Sequence, residues 1–122
     1  MKKTEFLQMV LQEADHLREH ATDEEKGKLD FSQLEVSHYT MCIYGQMTGS
    51  CYSSRAFTLY SKLLDGESVD KSGYTFSVLN EKGNFKLNNP RCTPIEVYIT
   101  MKGAKNESLI SYIKGEINDW KP

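Results

Sequence analysis

Residues 37–64 read SHYTMCIYGQMTGSCYSSRAFTLYSKLL, and how this stretch folds decides how the rest of the chain can be arranged. Ser37 can cap a helix in which Tyr39, Cys42, Ile43 and Met47 recur at spacings of three and four, and Gly49 supplies the left-handed residue that ends it. Ser53 or Ser54 can cap a second helix. Its Ala56, Leu59, Tyr60, Leu63 and Leu64 form a stripe wide enough to face a core, with Gly66 as the stop. So short a link makes the two helices packed neighbours, with residues 48–52 at their corner.

Upstream, Thr4 can cap a first helix whose apolar face is Phe6, Leu7, Val10, Leu11, Ala14 and Leu17. Gln8, Gln12, Glu13, Asp15 and Glu19 then form its wet face. Thr22 followed by Glu25 is a capping box, which predicts a short helical turn ending near Gly27. Residues 29–36 read as an irregular connector that buries Phe31 and Leu34.

Downstream, residues 65–73 (DGESVDKSG) are polar and glycine-bearing, an exposed loop. Tyr74, Phe76 and Val78 alternate with Thr75, Ser77 and Leu79, and after Asn80-Glu81-Lys82-Gly83 the alternation resumes at Phe85 and Leu87. That pattern predicts a β-hairpin over about residues 74–87. In residues 93–102 (TPIEVYITMK), Thr93, Pro94 and Glu96 make a helix start and Gly103 a stop. The alternation of Ile95, Val97, Ile99 and Met101 offers a third strand over 95–101 instead. The start signal favours the helix. Asn106 caps a last helix bearing Leu109, Ile110, Ile113, Ile117 and Trp120. The fold class expected from these elements is α+β, a mainly helical single domain over residues 1–122.

The 122 residues carry 26% charged and 39% apolar side chains, enough for a buried core without metal or disulfide staples. No apolar run is long enough to span a bilayer, and the amphipathic N-terminus with its acidic residues does not read as a secretory signal. Three cysteines, an odd number, point to a reducing compartment, so a cytoplasmic location is expected. A net charge of −2 argues against nucleic acid or a membrane surface as partner, since both ask for surplus Lys and Arg.

Chemistry-bearing residues concentrate at two expected helix starts. One is residues 48–55, with Gly49, Tyr52, Ser53, Ser54 and Arg55; the other is residues 88–93, with Arg91 and Thr93. Unpaired backbone N–H groups, hydroxyls and a guanidinium fork suit an anionic ligand such as a phosphorylated small molecule, and Tyr44 or Tyr52 could stack on a base or sugar ring. The competing reading is that the hydroxyls cap helices and the arginines pair with the acidic first helix. Cys51 near a helix start, with His38 as base, is the only set offering a cysteine nucleophile, and no third orienting residue is in sight. His38, Cys42, Cys51 and Cys92 lack zinc spacing, and His16 with His20 is a bare i, i+4 pair, so no metal or other cofactor is expected.

Residues 42–56, CIYGQMTGSCYSSRA, resemble a segment of small uncharacterised proteins from bacteria, prophages and bacteriophages. The resemblance implies an accessory protein that binds a host protein or sequesters a signalling nucleotide, and it brings no catalytic residues. The expected function is therefore a non-enzymatic binding module for a partner protein or a phosphorylated ligand such as a nucleotide. A small cysteine-dependent enzyme and a structural component of a phage particle are the alternatives. Seven tyrosines, five phenylalanines and five methionines also supply the material for self-association into a homo-oligomer.

Overall fold

Helix α1 (Lys3–His20) is the longest element among the described residues, and the two helices nearest the C-terminus are laid against it. The computed structural model describes residues 3–36, 38–61, 93–102 and 106–122. After α1 come α2 (Asp23–Gly27), a 3-10 turn (Phe31–Gln33), α3 (Ile43–Thr48), α4 (Ser54–Ser61), α5 (Pro94–Lys102) and α6 (Asn106–Ile113). Helices α5 and α6 both pack on α1. A second layer runs α2 on α3 and α3 on α4, while the 3-10 turn rests on α6.

The α+β class is corrected by this arrangement: the described residues form helices and no strand. The hairpin expected at 74–87 and the loop at 65–73 lie outside the described residues, as do Ser37, Leu63, Leu64 and Gly66. The strand alternative at 95–101 gives way to α5. Every residue from Thr93 to Ile99 is buried, so the alternation of β-branched and other side chains does not sort a wet face from a dry one. The local start signal then decides the conformation. Thr93 caps the helix through its hydroxyl, which accepts from Glu96 N at 3.4 Å, and Pro94 occupies the first helical position.

Two boundaries also differ from the sequence expectation. Helix α3 is capped by Cys42, whose Sγ accepts from Gly45 N at 3.3 Å, because residues 38–41 make their own turns above it. The last helix stops at Ile113 and does not run on to Ile117 and Trp120. Gly115 takes the left-handed conformation there (φ 81°), and the Arg18 guanidinium donates to the carbonyls of Tyr112 and Ile117, both at 2.6 Å. Trp120 instead returns to the core edge-on against Tyr98, 5.8 Å between ring centroids. Phe31, expected inside, is 38% exposed.

Candidate functional site

The corner between α3 and α4 is built from short-range bonds. Gly49 adopts φ 94° and donates to Gly45 O at 2.8 Å, closing α3 as its left-handed residue. The Ser53 hydroxyl accepts from Ala56 N at 3.1 Å, capping α4, and donates to the Thr48 hydroxyl at 2.9 Å. Thr48 Oγ1 lies within bonding distance of the Tyr44 and Ser50 carbonyls, 2.7 and 2.8 Å away. These hydroxyls therefore form one chain that fixes the angle between the helices.

Over this corner passes the backbone of Tyr39 and Thr40. A Cβ at Gly45 would stand 2.3 Å from Tyr39 O and 2.7 Å from the Thr40 carbonyl carbon, so only glycine lets the strand of chain sit so low. Tyr39 O accepts from Cys51 N at 2.8 Å, which ties the crossing segment to the far side of the corner. The result is an exposed row of rings. His38 stacks on Tyr39 at 5.1 Å and 11°, Tyr39 lies 6.2 Å from Tyr52, and the two tyrosines are 52% and 58% exposed.

Arg55 stands in the first turn of α4, where a cation opposes the helix dipole. Glu25 supplies the compensation. Arg55 Nε donates to Glu25 Oε2 at 2.8 Å and Nη2 to Oε1 at 2.9 Å, a two-bond fork, and Nη2 also reaches His20 O at the end of α1, 3.2 Å away. Glu25 meanwhile completes the capping box of α2 by accepting from Thr22 N at 2.8 Å. The Arg55 fork is the main reason its carboxyl is held down at about 2.

The remaining residues singled out in the sequence go to different places. Tyr44 is buried and donates from its hydroxyl to Glu13 Oε2 at 2.6 Å, and Thr93 is the buried cap of α5. Ser54 is exposed at the start of α4, and Arg91 lies outside the described residues. The corner thus brings together Gly49, Tyr52, Ser53, Ser54 and Arg55, but not Tyr44 or Thr93.

Cys51 and Cys42 are both buried. Burial pushes the Cys42 thiol up to about 12, with the nearby Glu96 charge and a hydrogen bond with Cys51 acting in the same direction. His38 sits on the surface with its Nδ1 accepting from Thr40 N at 3.2 Å. Among the described residues, no group of three or more His, Cys, Asp or Glu side chains could hold a metal ion.

The side chain that sequence reasoning missed is Glu13. Assigned to the wet face of α1, it is 1% exposed, and its Oε1 accepts from Ile95 N at 2.8 Å, so it places a carboxylate against the N-terminus of α5. The signal was in the spacing. Phe6, Val10, Glu13 and Leu17 recur at four, three and four, which puts the acid on the apolar stripe.

A groove of about 490 Å³ lies elsewhere, between residues 27–31 and α6, with Lys28, Asp30, Glu107, Lys114 and Glu116 among its lining. Its charges are mixed, and Lys114 Nζ is already donated to Leu29 O at 3.1 Å and paired with Glu116 at 3.5 Å. No helix of the described residues is long and apolar enough to cross a membrane. No family model, curated protein or solved structure matches the chain.

Proposed function

We propose that this chain is a non-enzymatic, cytoplasmic binding module that recognises a partner protein through the α3–α4 corner. The observation that carries the reading is the exposed row His38, Tyr39 and Tyr52, mounted on backbone that is bonded on both sides. Rings held in this way offer contact area at small entropic cost, and their faces accept apolar or cationic side chains of a partner. The phosphorylated-ligand reading is the second choice. Its guanidinium is engaged by Glu25 and its Ser53 hydroxyl caps a helix, so a phosphate would have to displace a carboxylate. The cysteine-enzyme reading asks for an accessible thiolate, and the burial of Cys51 speaks against it.

The test is photo-crosslinking in cells that contain the protein, with benzoylphenylalanine in place of Tyr52 and, as control, of the exposed Glu24. A discrete protein adduct at position 52 that disappears with Tyr39→Ala is expected, and light scattering shows whether that partner is a second copy. Identical adducts from both positions would sink the docking surface. Stabilisation by a nucleotide in a thermal-shift panel, lost in Arg55→Ala, would transfer the site to the phosphorylated ligand.

A further inference from the structure

Charge is unevenly distributed along the chain. Lysine and arginine make up 15 of the 122 residues, yet residues 29–54, which build the crossing segment and most of the α3–α4 corner, contain neither; their charged side chains are Asp30 and Glu35. The next cation, Arg55, is occupied by its fork to Glu25. Asp30 uses its carboxylate inside the 3-10 turn, where it accepts from the Ser32 amide and hydroxyl. Glu35 differs. It is exposed, and among the described residues its side chain makes no ion pair or hydrogen bond. Its backbone is tied to the turn that carries the rings, with Glu35 N donating to Met41 O at 3.1 Å and Glu35 O accepting from His38 N at 3.2 Å.

The ring row and the unneutralised carboxylate are separate features that ask for the same thing. Aromatic faces carry negative potential and attract cations, and a carboxylate with no cation of its own does so too. Arginine answers both at once, because a planar guanidinium stacks on a ring face, forks to a carboxylate, and is more weakly hydrated than an ammonium. His38 supplies a donor beside them. Its Nδ1 accepts from Thr40 N at 3.2 Å, so the neutral ring carries its proton on Nε2, where it can donate to a backbone carbonyl. The ring centroids are 5.1 and 6.2 Å apart, so the row is no longer than about three residues of extended chain at about 3.3 Å each.

We propose that the row binds an arginine borne on a short extended segment of the partner protein, its guanidinium stacked on the Tyr39–Tyr52 pair and forked to Glu35. This deepens the partner-protein reading given above and rests on it. An acidic or phosphorylated segment is repelled by the same charges.

The experiment titrates the full chain with acetylated, amidated tripeptides that carry Arg, Lys or Glu between two alanines, followed by nuclear magnetic resonance. The arginine tripeptide should shift the Tyr39 and Tyr52 signals, and its own side-chain protons should move upfield under the rings; the lysine tripeptide should bind about threefold more weakly and the glutamate one not at all. Glu35→Lys should weaken the arginine tripeptide about tenfold, whereas Glu24→Lys, the same change of charge on α2, should alter it less than about twofold. Ring signals that stay in place, or that shift equally with the glutamate tripeptide, overturn the proposal. So does a Glu35→Lys chain that binds like the wild type, or an equal loss in Glu24→Lys, which would mark a diffuse field in place of a site. Crosslinking at position 52 separates the two readings. A partner adduct that survives in Glu35→Lys, with no tripeptide bound, leaves the docking surface standing and sinks the arginine; tripeptide binding with no adduct counts against the partner protein and so against the source of the arginine.

Discussion

The α3–α4 corner and the α1–α5 contact are held by polar groups of similar kind but very different reach. In the corner, Ser53 bonds to Thr48 and Ala56, and Gly49 to Gly45, all within five residues of one another. In the contact, Glu13 reaches Ile95 across 82 residues and Tyr44 across 31. Local bonds can form before the rest of the chain has arrived, whereas the Glu13 cap exists only once α1, α3 and α5 have met. The corner is therefore a rigid piece set on the surface, and the buried carboxylate is the point where the layers are joined.

The sharpest way to break the corner is Gly45→Ala. The added carbon would overlap the carbonyls of the Tyr39–Thr40 crossing, and backbone cannot move aside as a side-chain tip does. A loss of about 4–5 kcal/mol or more in urea melts is expected. A loss under about 1 kcal/mol would mean that the crossing segment does not lie on the helix.

The core contact is broken by Glu13→Ala, which takes away the carboxylate that accepts from the Tyr44 hydroxyl and Ile95 N in a dry site and opens a cavity besides. About 3–4 kcal/mol is expected, and Tyr44→Phe, which removes only one donor, should cost about 1–3 kcal/mol. If Glu13→Ala behaves as a surface substitution, within about 0.5 kcal/mol, the wet-face reading of α1 was right after all.

These two sites also show what could be read in advance. The caps at Thr22, Ser53 and Thr93 and the stop at Gly49 are legible because each is a bond between near neighbours whose side-chain chemistry names the partner. Helix α5 is ambiguous in sequence because burial on every side erases the period that would reveal it. Glu13 was hidden for a related reason: its partners are 31 and 82 residues away, and a single acid on an apolar stripe looks like a solvated charge until they are placed. The role of Gly45 depended on a crossing chain that no local pattern announces. Of the candidate site, the arginine and its hydroxyls were visible, but not the carboxylate that occupies the arginine.

The smallest effect expected is at the Arg55–Glu25 pair, which pins the corner to α2. Arg55 is 40% exposed and Glu25 13%, so water screens part of the attraction, and the fork should be worth less than a fully buried pair. Arg55→Ala should cost about 1–2 kcal/mol at neutral pH. The pH dependence identifies the source. Glu25 falls from its ordinary 4.5 to about 2 on folding, so the folded state gives up the proton more readily than the unfolded one. The stabilisation is accordingly complete above about pH 5 and is lost as the pH falls toward 2. Between those limits the wild type should lose stability more steeply than Arg55→Ala, and the two curves should draw together near pH 2. Parallel curves across that range would show that the arginine acts through packing or through His20 O. Arg55→Lys sharpens the comparison, because an ammonium keeps the charge but not the two-bond fork, and should recover the acid slope only in part.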